Sequence, residues 1–294
     1  MTKFRGIDVI DTFFSLPAGK GEAKPESLMA EWIKPLYRPS KDEKGDFAGI
    51  GYLFKDMVAL PEGREPIEFA VSEMDRFGVE RALTPASLPD GPGREALAKH
   101  PDRFSGVFMI NPNDGMEGIF ALERAKREWN IVAAYITPAL VNPQVPINDK
   151  KAYPIYAKCV ELDIPVFILT GVPGPRVPYF AQHPEHLDEV CWFFPDLKIV
   201  MRHGAEPWTD LAVKLLLKWP NLYYSTSATA PKYYSPSILA FANSRGRHKI
   251  LYGGYFAAGL SYDRIFSELA SVPLDDDVWP LFLRENARAV LKLP

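Results

Sequence analysis

Eight short apolar, β-branched runs alternate with amphipathic helical patterns from one end of this 294-residue chain to the other. The runs are residues 6–13, 79–84, 104–110, 131–136, 165–169, 198–201, 222–225 and 249–252. Most are nearly continuous apolar stretches, as in Val166-Phe167-Ile168-Leu169 and Lys198-Ile199-Val200-Met201. A strand wetted on one face alternates polar with apolar, whereas a parallel strand covered on both faces does not. Eight such strands, each followed by a helix or helical turn, predict a (β/α)8 barrel of the α/β class, one domain over residues 1–294. An open doubly wound sheet would show a glycine-rich first turn, which is missing.

The helical patterns fall at residues 65–77, 116–129, 150–162, 186–194, 208–219, 235–243, 261–269 and 278–293. Gly78 stands where a left-handed residue would stop the first of them, and Ser235-Pro236 reads as an N-cap followed by proline at the first helical position. Residues 14–64 break the rhythm. A connection this long, carrying Trp32, Pro35, Tyr37, Pro39, Phe47, Tyr52 and Phe54, is expected to be a rim loop that packs over the C-terminal mouth as a lid. The 28 prolines are spread over connections and helix starts rather than gathered in one tract.

A net charge of −3 provides no basic field, so nucleic acid is not an expected partner. No run of about 18 apolar residues exists to span a membrane. The opening residues lack a signal peptide's apolar stretch, and two cysteines, Cys159 and Cys191, are too few for a disulfide scaffold. A reduced, cytoplasmic setting is expected, with both thiols as buried filler.

Several stretches together resemble the amidohydrolase superfamily, in the branch containing 2-amino-3-carboxymuconate semialdehyde decarboxylase and the resorcylate decarboxylases. They are Ile7-Asp8-Val9-Ile10-Asp11-Thr12, Glu73-Met74-Asp75-Arg76-Phe77-Gly78-Val79, His100-Pro101-Asp102-Arg103-Phe104 and Ile164-Pro165-Val166-Phe167-Ile168-Leu169-Thr170-Gly171. Phe194-Pro195-Asp196-Leu197, Met201-Arg202-His203-Gly204, Lys249-Ile250-Leu251-Tyr252-Gly253-Gly254-Tyr255 and Glu285-Asn286-Ala287-Arg288 complete the set, in order along nearly the whole chain. The resemblance implies a barrel holding a divalent metal, usually zinc, at the C-terminal strand ends. Its ligands would be His-x-His from the first strand, a His from the fifth and an Asp from the eighth, with a further His ending the sixth.

Carried over by position, the first-strand pair falls on Ile10 and Thr12, the fifth-strand His on Leu169 and the eighth-strand Asp on Tyr255. Only His203 keeps the implied residue. Ile and Leu offer no donor, and a Thr hydroxyl or a Tyr phenol replaces an imidazole poorly, so no metal is expected in this chain. Alternation along the first strand turns Asp8 towards the vacated positions and Asp11 outward. Arg202 should face away from His203, with Arg176, Tyr224, Thr226 and Tyr255 as rim donors around it. His183 and His186 read as a loop and helix start, and His100 and His248 precede strands at the opposite end.

Two functions follow as expectations. The first is a supporting subunit in a hetero-oligomer with a metal-bearing paralogue, since the chain is similar to the ligand-poor component of two-component 2-aminoisobutyrate hydroxylases. Any metal would then belong to the partner. The second is a metal-independent hydrolase, lactonase or decarboxylase acting on a small carboxylate or aromatic substrate, with His203 as general base.

Overall fold

The computed structural model describes Phe4 and residues 6–17, 28–38, 50, 52–54 and 58–294. Pro39 and Phe47 of the expected lid lie outside the described residues. Eight parallel strands form one sheet in sequence order, β1-β2-β3-β4-β5-β6-β7-β8. They are β1 Val9–Asp11, β2 Val79–Pro85, β3 Phe104–Met109, β4 Ala133–Ile136, β5 Val166–Leu169, β6 Ile199–Arg202, β7 Leu222–Ser225 and β8 Ile250–Leu251. The sheet closes through the residues that follow β1 and β8. A parallel bridge joins Phe14 to Phe256, the Thr12 N–H donates to the Tyr252 carbonyl (3.3 Å), and that of Tyr255 donates to Phe13 (3.1 Å). The fold is the expected (β/α)8 barrel.

Ten α-helices are described: α1 Leu28–Ile33, α2 Pro66–Phe77, α3 Pro92–Lys99, α4 Gly115–Trp129, α5 Tyr153–Glu161, α6 Leu187–Phe193, α7 Thr209–Lys218, α8 Pro236–Ala242, α9 Tyr262–Leu269 and α10 Asn286–Leu291. α2 forms where its ends say it should. The Glu65 carboxylate accepts the N–H groups of Ile67 and Glu68, and Gly78 stops the helix at φ 69°. α1 and α3 were not anticipated, although Gly91-Pro92 is a helix start of the same kind. Ser235 does not cap α8; its hydroxyl donates to Thr209 instead (3.1 Å). The expected last helix is split into a π-helical turn, Leu281–Glu285, and α10.

Two apolar layers meet at the strands. Ile10, Leu83, Val107, Tyr135, Phe167 and Val200 point into the barrel, where Ala287, Val290 and Leu291 of α10 also pack. The alternate strand residues face the helices in a larger shell. This parity decides what reaches the mouth of the barrel, because the inward residues at the C-terminal ends are the ones that line it.

Candidate active site

A cavity of about 420 Å³ opens at the C-terminal ends of the strands, between Phe13 after β1, Leu169 of β5, Arg202 of β6 and Tyr255 after β8. Part of the long loop roofs it. Ile50, Tyr52, Leu53 and Phe54 line the cavity, the Tyr52 hydroxyl donates to the Gly174 carbonyl (2.7 Å), and Arg176 lies 4.8 Å from the Tyr52 ring centre. The described part of the loop therefore both packs and covers. Most of the lining is apolar, with Leu16, Met109, Leu140 and Phe54 among it, a surface that excludes water and strengthens any charge inside it.

His203 leaves β6 with φ 64°, a left-handed backbone that breaks the strand's alternation. As a result Arg202 and His203 both line the cavity, and the expectation that Arg202 faces away is corrected. Two residues below Arg202, Val200 already points into the barrel, so the inward parity was set before the strand ended. The His203 ring meets Phe13 and Tyr255 edge-on, at 4.7 and 5.2 Å between centres, and those two rings stack on each other at 4.7 Å.

His203 is held through Ser227. The Ser227 hydroxyl oxygen accepts the His203 backbone N–H (3.1 Å). The same hydroxyl lies 2.8 Å from His203 Nδ1, as acceptor from one ring tautomer or donor to the other. Burial, and then the charge of Arg202, hold the imidazole well below its usual pKa, so the ring is neutral at pH 7. When Ser227 donates to Nδ1 the ring proton is on Nε2, which is then a donor; when Ser227 accepts the Nδ1–H bond, Nε2 is free as a base.

Arg202 is buried, at 4% exposure, and its guanidinium carbon lies 4.5 Å from the ring centres of both Phe13 and Tyr135. Nε and Nη1 have no hydrogen-bond partner. Tyr135 is tied down in turn, its hydroxyl donating to the Thr12 carbonyl at 2.7 Å.

Of the residues singled out from sequence, Leu169, His203 and Tyr255 line the cavity. Ile10 sits lower, in the sealed interior layer. Thr12 is buried and donates to the Tyr252 carbonyl (2.6 Å), with Ser225 Oγ 3.1 Å away. Asp8 is exposed and precedes β1; it shares the parity of Thr12 but lies about 13 Å lower, at ~3.3 Å per strand residue, and is no pocket residue. Tyr224 packs in the outer shell, and Thr226 accepts the Gly253 N–H, while their neighbours Ser225 and Ser227 face inward; neither Tyr224 nor Thr226 lines the cavity. Arg176 reaches the roof through Tyr52 and does not line the cavity itself. His183 and His186 flank a 3-10 turn before α6, away from the cavity. Burial pushes the thiols of Cys159 and Cys191 up to about 12, which suits filler and not nucleophiles.

Asp11 was read only as outward-facing, and its task emerges from the structure. It is fully buried, and accepts the N–H groups of Gly254 (2.7 Å) and Phe13 (3.0 Å) and the hydroxyl of Tyr262 on α9 (3.0 Å). A Cβ on Gly254 would lie 2.5 Å from the Asp11 carboxylate and 2.5 Å from Tyr252 Oη, so only glycine admits this approach. Burial raises the Asp11 pKa to about 7, against the lowering effect of the bonds from Gly254, Phe13 and Tyr262.

A single barrel with its cavity at the C-terminal rim is the architecture of a large class of small-molecule enzymes. Residues 29–293 match the family model described as amidohydrolase, and the chain belongs to that family. It is 26% identical over 185 residues to 2-keto-4-carboxy-3-hexenedioate hydratase of Sphingobium sp. strain SYK-6, a match covering 52% of this chain and 52% of that protein. The chain thus spans about half the length of this curated relative. Among solved structures, an uncharacterized TIM-barrel protein from Bordetella bronchiseptica superposes with a TM-score of 0.71 at 21% identity, covering 97% of this chain and 99% of that one. The 5-carboxyvanillate decarboxylase of Sphingomonas paucimobilis gives 0.64 at 16% identity, over 98% and 100%. These two likenesses speak for the fold.

The donor set at the strand ends does not fit a divalent ion. Zinc takes three or four N, S or O donors converging at about 2 Å. Among the described residues no three His, Cys, Asp or Glu side chains come together for one. At the positions implied for ligands stand an isoleucine, a leucine, a threonine whose hydroxyl is already engaged and a tyrosine stacked on Phe13. Burial pushes that tyrosine up to about 12, so at neutral pH it is not a phenolate ligand.

Proposed function

We propose that the chain is a metal-independent enzyme of the amidohydrolase fold, acting on a small carboxylate or aromatic substrate in the cavity beneath Ile50, Tyr52, Leu53 and Phe54. The hydratase and decarboxylase named above as relatives act on carboxylates, and this reading keeps their kind of chemistry while dispensing with the ion. The observation that carries it is His203, a neutral imidazole whose Nδ1 is engaged by Ser227 and which lines a mostly apolar cavity. With Nε2 protonated, the ring donates to an oxygen that gains negative charge, as in an enolate or a tetrahedral adduct. With the proton moved to Nδ1, the same atom removes a proton as general base. Tyr255, its phenol protonated by burial, stands beside it as a second donor.

A second reading, the supporting subunit of a hetero-oligomer, is favoured by exposed aromatics away from the cavity. Phe180, Trp192 and Phe193 are 60%, 66% and 52% exposed. Such a patch suits a partner chain of the same family that carries the metal.

One experiment separates the two. Decarboxylation, hydration and lactone hydrolysis are screened on small aryl and alkyl acids with EDTA present. Turnover that survives EDTA and falls by roughly 100-fold or more in a folded His203→Asn variant supports the enzyme. Turnover that EDTA abolishes, or that His203→Asn leaves intact, overturns it. No turnover by the chain alone, with activity appearing on addition of a metal-bearing family member, transfers the case to the subunit.

A further inference from the structure

We propose that Arg202 is the anion-binding group of the cavity, and that it selects ligands bearing one carboxylate on an apolar body. This rests on the reading of the cavity as a substrate site, and goes beyond it in naming what the site recognises and which residue does so.

Three observations converge on it. The first is an unmet need for hydrogen bonds. Arg202 is buried, and neither Nε nor Nη1 has a partner. A guanidinium stays protonated at any working pH, so these are charged donors held away from water with nothing to receive them. Buried charges are paired in folded proteins, and a cation left in this state lacks its counter-ion. Among the described residues no ion pair supplies one, and Arg202 instead meets the faces of Phe13 and Tyr135.

The second is rigidity. Both ring centres lie 4.5 Å from the guanidinium carbon, one on a residue after β1 and the other on β4, and Tyr135 is anchored to the Thr12 carbonyl. The aromatic faces hold the planar guanidinium in place in the cavity lining. An arginine placed in this way binds a carboxylate by charge-assisted hydrogen bonds. Because the group is already placed, little is lost in ordering it when a ligand arrives.

The third is what else lines the cavity. Among the described residues Arg202 is the one fixed cation there, and the one carboxylate, Glu206, lies among the exposed residues. Among the described lining residues a second carboxylate on a ligand would meet no further cation, and would face Glu206 and apolar walls. The single charge sits between Leu169, its paired neighbour across β5 and β6, and the rings of Phe13 and Tyr135. It stands among the positions where the family resemblance would put an ion's ligands. A side-chain cation therefore supplies positive charge there, but only one unit of it, and it points at one anion. The relative named for a tricarboxylate substrate would need more.

Binding also couples Arg202 to His203. The guanidinium charge is one of the two influences that hold the imidazole low, after burial. A bound carboxylate neutralises it and makes His203 more basic while a substrate is present.

The test is calorimetry on the full chain with benzoate, benzamide and phthalate as probes, on wild type, Arg202→Met and His203→Asn. The expected result is that benzoate binds wild type roughly tenfold or more tighter than either benzamide, which lacks the charge, or phthalate, which carries two. Arg202→Met should lose that preference, and His203→Asn should retain it. Arg202→Met should also melt higher than wild type without ligand, because an unpaired buried cation has been replaced by an apolar chain of similar length. Equal affinity for benzoate and benzamide, phthalate binding as tightly as benzoate, no benzoate binding, or a preference that survives in Arg202→Met would each overturn the proposal. Should Arg202→Met not fold, the comparison of the three probes on wild type decides alone. Turnover of a neutral substrate without benzoate binding removes this inference and spares the enzyme; benzoate binding with no turnover removes the enzyme and spares the inference.

Discussion

At the scale of single residues, the strand ends carry two ionisable groups whose burial displaces them in opposite senses. Asp11 gains a proton affinity on folding, and His203 loses one. An unfolded Asp11 ionises near the ordinary value of 3.8, whereas the folded group keeps its proton to about 7. Its contribution to stability is thus complete below about pH 4 and is lost as the pH rises towards 7. His203 works the other way, since the unfolded imidazole protonates below about 6.5 and the folded one resists, so stability falls as the medium becomes more acidic than that. The two trends oppose each other in the wild-type profile, and a variant separates them. Asp11→Asn keeps an oxygen for the Gly254 and Phe13 N–H groups and cannot ionise. Melting temperature followed from about pH 4 to 8 should show wild type losing ground to Asp11→Asn up to about pH 7 and running parallel above it. A constant difference across that range would mean that Asp11 is ionised throughout.

Residues of this kind are hard to read from a sequence. Strand parity was legible where apolar residues marked it, as at Val200, and counting two onward gives Arg202 correctly. It failed where the backbone turned left-handed, because nothing about histidine or tyrosine announces the φ of 64° at His203 or 63° at Tyr255. On β7 the aromatic Tyr224 attracted a role that belonged to its small neighbours, Ser225 and Ser227.

Among the elements, all eight strands and most of the barrel helices were legible because their periods differ, while α3 and the boundaries near the C-terminus were not. Residues 249–252 read as a four-residue strand, yet β8 is only Ile250–Leu251. The reason lies in its neighbour. The Tyr252 N–H donates to the Phe282 carbonyl in the π-helical turn (3.0 Å), not to the sheet. That turn widens the last helix so that Phe282 and Leu283 are both buried, and α10 then begins at Asn286. Its amide donates to the carbonyls of Arg247 and Ile250, both at 2.8 Å, and so ties the helix to the start of β8. A pattern of apolar spacing cannot show a one-residue bulge of this kind. Asn286→Ala removes both donations and leaves the buried Ile250 carbonyl with one bond fewer. A loss of about 1–3 kcal/mol is expected, read as a lower urea midpoint with an unchanged slope. A midpoint equal to wild type would show that the π-turn is held by its apolar contacts alone.

For the molecule as a whole, the question is what a barrel does once its rim lacks the donors for an ion. Removing one ligand would weaken a site by degrees. Here the four positions implied for ligands hold residues recruited to other ends: Ile10 fills the interior layer, Thr12 bonds to the Tyr252 carbonyl, Leu169 packs with Ile33 and Leu140, and Tyr255 stacks on Phe13. Each of these contacts stabilises the closed barrel or shapes the cavity, so the rim has become part of the packing. A native-state ligand present at 100 times its dissociation constant adds about 2.7 kcal/mol to stability, which moves the melting temperature of a chain this size by several degrees. Melting curves with micromolar zinc, with manganese and with EDTA should therefore coincide within about one degree. Purified protein should carry well under one equivalent of either metal. A benzoate series under the same conditions should raise the transition, which makes the silence of the metals informative. A zinc-dependent rise of several degrees that EDTA reverses would contradict the donor count and return the ion to the centre of the chemistry.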